Sequence, residues 1–168
     1  MTEGQQQPCV PKSRPVLIVE DNRDGRESLR QLLQLLGYRV EVAQDGYEGV
    51  EKALMCHPEV GLIDIGLPGL DGYEVARRLR SALGQSIVLI AYTAYTQPED
   101  RERAFRAGFD AHLGKPAELE WLTDLLNRAS EDAILARCSL SPEMLDWNNC
   151  RDELGQVQLY VRASSDMS

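Results

Sequence analysis

The feature that most constrains this chain is a strict alternation of short apolar runs with amphipathic segments, repeated five times between residues 16 and 129. Each apolar run suits a strand buried on both faces, and each following segment has apolar residues at helical spacing. The predicted strands are Val16–Glu20, Tyr38–Ala43, Val60–Ile65, Ser86–Ala94 and Phe109–Leu113. The predicted helices are Ser28–Tyr38, Gly46–Cys56, Asp71–Leu83, Pro98–Gly108 and Ala117–Ala129.

This order of elements predicts an α/β fold with a parallel sheet covered on both faces. Right-handed crossovers make it a doubly wound (βα)5 sandwich. Asp71 suits the N-cap of the third helix, because its carboxylate accepts from free N–H groups of the first turn. Folds of this class bind ligands at the carboxyl ends of their strands, so the strand ends are the places to search for chemistry.

Polar side chains stand at or near four predicted strand ends. They are Glu20 and Asp21 after the first strand, Asp64 in the third, Thr93 in the fourth and Lys115 after the fifth. A carboxylate in the apolar run around Asp64 is costly unless it is paired or binds a ligand. Three clustered carboxylates suit Mg²⁺, and Asp64 is a candidate nucleophile because an aspartate accepts a phosphoryl group as an acyl phosphate. Thr93 would offer a hydroxyl to that group, and Lys115 a positive charge.

Each of these residues also has a simpler interpretation. Acids after a strand are often helix caps, and a lone threonine there is often a turn hydroxyl. A lysine before a proline is often a solvated surface residue. The occurrence of all of them at four different strand ends of one predicted sheet favours a shared site.

Composition excludes several classes of protein. The chain has 168 residues and a net charge of −9, from 18 basic and 27 acidic residues, which disfavours binding to nucleic acid. Its N-terminus has no apolar signal segment, and no later run reaches the ~18 apolar residues of a membrane span. The cysteines lack metal-ligand spacing. We therefore expect a cytoplasmic protein that makes no contact with nucleic acid or membrane.

Four motifs carry a resemblance to a known family. They are "VLIVEDN" (Val16–Asn22), "LIDIGLPGLDGYEV" (Leu62–Val75), "AYTAY" (Ala91–Tyr95) and "HLGKP" (His112–Pro116). Together they resemble the receiver domain of two-component response regulators, over roughly residues 15–130. The wording is most similar to receivers appended to hybrid histidine kinases. The resemblance implies a flavodoxin-like fold with five parallel strands in the order 2-1-3-4-5.

The resemblance also implies roles for the site residues. Asp64 would be the phosphoacceptor, supplied by a phosphohistidine on a histidine kinase or a histidine phosphotransfer protein. Asp21 would bind Mg²⁺ directly, Glu20 through water, and Gly66 through its backbone carbonyl, with Asp64 as a further ligand.

In the same family pattern, Thr93 would be the switch hydroxyl, and Lys115 would contact the phosphoryl oxygens. The Lys115–Pro116 bond would be cis. A homodimer through helix 4, strand 5 and helix 5 is a further possibility that the resemblance leaves open.

Two positions depart from the family pattern. His112 stands where the family often has a Tyr or Phe that swings inward on activation. It is either an exposed residue of an edge strand or a switch side chain that titrates near neutral pH. Gly66 places no side chain over the phosphoryl group, whereas Tyr95 is bulky, so we predict that the lifetime of the acyl phosphate depends on Tyr95.

The two ends of the chain lie outside the motifs. Residues 1–14 are predicted to be a disordered lead-in, and residues 131–168 a partly ordered or disordered extension. The extension has three arginines against seven acids and is too short for a usual winged-helix output domain. Within it, 157–161 reads as an isolated strand. The alternative role is a docking segment with these apolar anchors: Leu145, Trp147, Leu154 and Tyr160.

We therefore predict a phosphorelay receiver without a DNA-binding output, and not an enzyme in the usual sense. It is either a stand-alone regulator, which Met1 weakly favours, or a fragment of a hybrid histidine kinase. An Mg²⁺-dependent phosphohydrolase with an aspartyl phosphate is a second hypothesis, but that class has an acid two residues after its nucleophile, where this chain has Gly66. A degenerate receiver that only mediates contacts is a third, and the complete set of site residues argues against it.

Overall fold

A computed structural model describes residues 15–135 and 159–161 of the chain. The strands are β1 (Val16–Val19), β2 (Val40–Ala43), β3 (Val60–Ile63), β4 (Val88–Thr93), β5 (Ala111–Gly114) and β6 (Leu159–Val161). The helices are α1 (Arg23–Leu35), α2 (Gly46–Cys56), α3 (Gly72–Leu83), α4 (Pro98–Ala107) and α5 (Leu119–Leu135). A short 3₁₀ turn (Gly84–Ser86) precedes β4.

One sheet contains all of these strands, in the order β2-β1-β3-β4-β5-β6. The first five are parallel, which confirms the predicted order 2-1-3-4-5. The sixth is an addition, because the segment expected to be an isolated strand pairs antiparallel with β5. Periodicity identified that strand, but its partner lies almost fifty residues earlier and no local pattern reveals the pairing.

Two apolar cores lie on opposite faces of the sheet, as the doubly wound prediction requires. On one face α2, α3 and α4 contribute residues such as Ala53, Leu79 and Ala104. On the other face α1 and α5 contribute Leu33 and Leu126. Because both faces are covered, β1 and β3 are buried along their whole lengths, which explains their continuous apolar sequences.

Capping side chains fix where the helices begin. Asp71 is the N-cap of α3, as predicted, and its Oδ1 accepts from the N–H of Glu74 at 2.9 Å. The predicted start of α1 at Ser28 is wrong, because the helix begins five residues earlier at Arg23. There the Oδ1 of Asn22 accepts from the N–H of Gly25 at 2.9 Å, and this early cap draws a polar turn into the helix.

Helix α5 extends beyond its predicted end at Ala129 and continues to Leu135. The lead-in (1–14) and three of the proposed apolar anchors (Leu145, Trp147 and Leu154) lie outside the described residues. Among the helices that the structure describes, none combines the length and the apolar character needed to cross a membrane.

Candidate functional site

Three carboxylates meet at the carboxyl ends of β1 and β3. Glu20 and Asp21 directly follow β1, and Asp64 directly follows β3, which ends at Ile63 rather than at Ile65 as predicted. The N–H of Asp64 donates to the carbonyl of Val19 at 2.9 Å, so the two strand ends are in register. One oxygen of each carboxylate lies within 4.8 Å of the others. Their repulsion is therefore a property of the fold.

Burial differs among the three acids. Glu20 is buried, Asp64 is largely covered, and Asp21 is exposed. Burial raises the pKa of the Glu20 carboxyl above its usual value, although hydrogen bonds from Lys115 and from the N–H of Asn22 act in the opposite direction. The cluster thus has one desolvated acid at its base and one solvent-facing acid at its mouth.

Lys115 brings the compensating positive charge from β5. Its Nζ donates to Oδ2 of Asp64 at 3.2 Å and also forms an ion pair with Glu20. Burial alone would lower the pKa of the Lys115 amine, but the hydrogen bond to Glu20 and the charge of Asp64 outweigh it and raise that pKa. The ring of Tyr92 lies 5.2 Å from Nζ and adds a cation–π contact. The lysine is therefore held as a cation beside Asp64.

Thr93 ends β4 and is fully buried. Its Oγ1 accepts from the N–H of Tyr95 at 3.2 Å, while its carbonyl accepts from the N–H of Lys115 at 2.9 Å. These contacts join the ends of β4 and β5. The Lys115–Pro116 bond is cis, as predicted.

The loop after Asp64 runs beneath Tyr95. The N–H of Gly66 donates to Oδ1 of Asp64 at 3.2 Å. A Cβ at position 66 would lie 2.8 Å from Cε2 of Tyr95, so the tyrosine ring occupies the space that a side chain at 66 would need. The absence of a side chain at 66 and the bulky residue at 95 are therefore complementary features of one surface.

His112 is buried, with 1% of its surface exposed, so its interpretation as an exposed edge-strand residue is wrong. Its Nε2 lies 2.9 Å from the carbonyl oxygen of Tyr95. Burial lowers the pKa of its imidazole, so the neutral ring is favoured in the folded protein. The physical reason for the error is β6, which pairs along β5 and makes it an interior strand.

Arg26 contacts the site but was not indicated by any of the sequence motifs. Its Nη1 donates to the carbonyl of Glu20 at 2.7 Å and to that of Asp21 at 3.3 Å. The guanidinium thus ties the first turns of α1 to the acidic loop. The sequence did contain a signal for this contact, namely a basic residue about one and a half helical turns after the two acids. That signal could be recognised only with the correct start of α1.

The sequence of this chain matches known proteins. The family model for the response regulator receiver domain matches residues 16–127. The chain is 40% identical over 121 residues to the response regulator MprA of Mycobacterium sp. (strain KMS), an alignment that covers 70% of this chain and 52% of that protein. The chain therefore spans about half the length of the first curated relatives that it matches.

The fold is also similar to that of solved structures. The chemotaxis protein CheY4 of Vibrio cholerae superposes with a TM-score of 0.65 and 30% identity, over 69% of this chain and 98% of that one. The receiver domain of the sensor histidine kinase PA1611 of Pseudomonas aeruginosa gives 0.66 and 34%, over 71% and 98%. In that structure a magnesium ion is coordinated in the active site cleft.

Proposed function

This chain belongs to the response regulator receiver family, and from that premise we propose that it accepts a phosphoryl group on Asp64 in a two-component phosphorelay. It is a module of a signalling system and not a member of an enzyme family. The observation that carries the proposal is the position of Asp64, whose carboxylate lies within 4.8 Å of two other carboxylates and 3.2 Å from the Lys115 amine. Two further acids and one cation around the carboxylate of Asp64 suit phosphoryl transfer, which depends on positioning and charge neutralisation.

The donor set fits Mg²⁺. Three carboxylates within 4.8 Å of one another offer only hard oxygen ligands, and the exposed Asp21 leaves access for the water that Mg²⁺ retains. In our proposal Asp21 and Asp64 hold the ion directly, Glu20 holds it through water, and the carbonyl of Gly66 completes the protein ligands. When bound, the ion would neutralise negative charge on the acids and on the phosphoryl oxygens.

The transfer step follows from the chain's own groups. A carboxylate oxygen of Asp64 attacks phosphorus as the P–N bond of a phosphohistidine breaks, and the imidazole nitrogen leaves with the bonding electron pair. The Lys115 ammonium stays protonated, because the two neighbouring acids raise its pKa, and it pairs with a phosphoryl oxygen. The hydroxyl of Thr93, whose oxygen accepts from the N–H of Tyr95, then donates its O–H to another phosphoryl oxygen. In this proposal Thr93 is the switch, together with His112, whose Nε2 lies 2.9 Å from the carbonyl oxygen of Tyr95.

The partners follow from this chemistry. The donor is a histidine kinase or a histidine phosphotransfer protein, and the protein works in the cytoplasm. We propose that the chain is divided into a lead-in (1–14), a receiver domain (15–130) and an extension (131–168). The acidic balance of that extension disfavours contact of these residues with nucleic acid. In our proposal the signal is a conformational switch, with homodimerisation through the α4–β5–α5 face as its form. The 34% identity to the receiver of a sensor histidine kinase favours a second setting, a fragment of a hybrid kinase.

Intact mass spectrometry tests the proposal. Incubation with Mg²⁺ and acetyl phosphate is expected to add one phosphoryl group, about 80 Da. Asp64→Asn should abolish the adduct, whereas the matched control Asp24→Asn, which alters an exposed acid in the first turn of α1, should retain it. The proposal fails if several small phosphodonors give no adduct, or if Asp64→Asn is modified as fast as the unaltered chain. Multiple turnover of a phosphomonoester would instead support the phosphohydrolase hypothesis.

A further inference from the structure

The strand β6 lies on the outer edge of β5. It pairs antiparallel through three residues, with Tyr160 opposite His112. Without β6, β5 would be the edge of the described sheet and would present unpaired N–H and C=O groups, which template pairing with another chain. We propose that β6 is an intramolecular cap, which occupies the β5 edge and thereby keeps a second copy of this chain from associating through the α4–β5–α5 face.

The pairing is short enough to be reversible. It joins three residues of β6 to β5, whereas β4 pairs with β5 through four residues. A backbone hydrogen bond contributes only about 1 kcal/mol net, and a ladder of three residues is therefore weak by itself. Because β6 belongs to the same chain, its effective concentration is on the order of millimolar, which lets it compete with a second copy at lower protein concentration.

The same strand connects the cap to the phosphorylation site. Lys115 directly follows β5, and its N–H donates to the carbonyl of Thr93 at 2.9 Å. Its Nζ lies 3.2 Å from Oδ2 of Asp64, and Nε2 of His112 lies 2.9 Å from the carbonyl of Tyr95. A phosphoryl group on Asp64 carries about two negative charges and replaces the single charge of the carboxylate, so about one negative charge is added beside that amine. Displacement of Lys115 then moves β5 against β6, and the coupling is reciprocal.

This coupling rests on the proposed phosphorylation, whereas the capping itself does not. If phosphorylation weakens the pairing of β6, then loss of β6 must favour the phosphorylated form by the same factor. Phosphorylation and loss of the cap are therefore expected to shift self-association in the same direction.

Proline substitutions in the full chain separate the cap from other effects of the tail. Adjacent strand residues alternate in the side to which they direct their N–H, so only one of Tyr160→Pro and Val161→Pro removes a donor facing β5. The other substitution removes an N–H that faces solvent, and an edge strand tolerates proline at such a position. Ser164→Pro is the matched control beyond β6.

Sedimentation velocity across a dilution series, together with amide hydrogen exchange, provides the readouts. We expect a monomeric unaltered chain. In one of the two β6 variants, dimer affinity should rise at least about tenfold and exchange in residues 111–114 should quicken by a similar factor. Ser164→Pro should match the unaltered chain. Two β6 variants that both sediment and exchange like the unaltered chain would overturn the cap, as would an unaltered chain that is dimeric while β5 stays protected.

Two further measurements keep the outcomes distinct. Exchange in β1 and β3 reports whether the sheet is intact, and a proline variant that loses protection there is replaced by Tyr160→Gly/Val161→Gly, which weakens the strand without removing a donor. Intact mass after acetyl phosphate and Mg²⁺ reports the proposed function. A dimer response without any adduct overturns the phosphorylation and supports the cap, whereas an adduct without any response to the β6 variants overturns the cap alone.

Discussion

Replacing Gly72 by alanine is expected to destabilise the domain and to disturb Asp64, the proposed phosphoacceptor. Gly72 is buried at the first position of α3, where its N–H donates to the carbonyl of Ile65 at 3.0 Å. A Cβ there would lie 2.3 Å from the carbonyl oxygen of Asp64 and 2.7 Å from the Cα of Ile65. Both contacts are with backbone, so the helix or the segment after β3 has to move.

The expected cost follows from two opposing terms. Overpacking against atoms that cannot rotate away costs about 1–3 kcal/mol. Alanine returns at most about 1 kcal/mol through its preference for helix, and less at the first helical position. The net loss is about 1–2 kcal/mol of unfolding free energy, which lowers the urea midpoint by roughly 1 M. Displacement of the Asp64 carbonyl should also slow phosphorylation by acetyl phosphate.

Gly66→Ala is the matched control beside the same aspartate. Its nearest obstacle is Cε2 of Tyr95 at 2.8 Å, but that side chain is 53% exposed and its ring can swing into solvent. We expect a loss below about 0.5 kcal/mol, typical of surface positions. Urea unfolding of both variants decides the matter. If Gly72→Ala keeps the unaltered midpoint, or if Gly66→Ala is the less stable of the two, the steric argument is wrong.

Three further predictions concern the charged and aromatic residues of the site. Tyr95→Ala should change the rate at which the acyl phosphate is lost, because the ring lies over position 66, and an unchanged decay of the phosphorylated mass would contradict this. Lys115→Met should slow phosphorylation by about tenfold or more, since it removes the cation 3.2 Å from Asp64, while Lys115→Arg should retain part of the rate. Burial lowers the pKa of His112 in the folded state, so its contribution to stability is present above the unfolded pKa of about 6.5 and is lost as pH falls below that value. Urea midpoints should therefore fall more steeply from pH 7 to pH 5.5 in the unaltered chain than in His112→Phe, and parallel curves would contradict the assignment.

Local patterns were sufficient for most of the fold. Five apolar runs and five amphipathic segments predicted the parallel, doubly wound sheet, because parallel strands joined by helices have few permitted arrangements. The strand order, which the structure confirms, was implied by the resemblance to receiver domains. Asp71 marked the start of α3 correctly, since an N-cap is local chemistry. The start of α1 was misplaced because leucine spacing identifies the buried part of a helix and not its polar first turn.

The residues of the site were identified because topology brings the carboxyl ends of β1, β3, β4 and β5 to the same edge. The contacts that these residues make could not be predicted from the sequence. The ion pair between Lys115 and Glu20 joins residues 95 positions apart, and the burial of His112 depends on a strand that begins at residue 159. Neither the packing of Tyr95 over Gly66 nor the contact of Arg26 with the acidic loop leaves a periodic signal.

Mapping of the modified residue tests the central claim most directly. Borohydride reduces an acyl phosphate of aspartate to homoserine, which marks the acceptor permanently in a digested peptide. After treatment with Mg²⁺ and acetyl phosphate, we predict homoserine at position 64 and at none of the other 11 aspartates, since the chain has 12 in total. Homoserine at Asp21 or at any other aspartate, with residue 64 unchanged, would contradict the account.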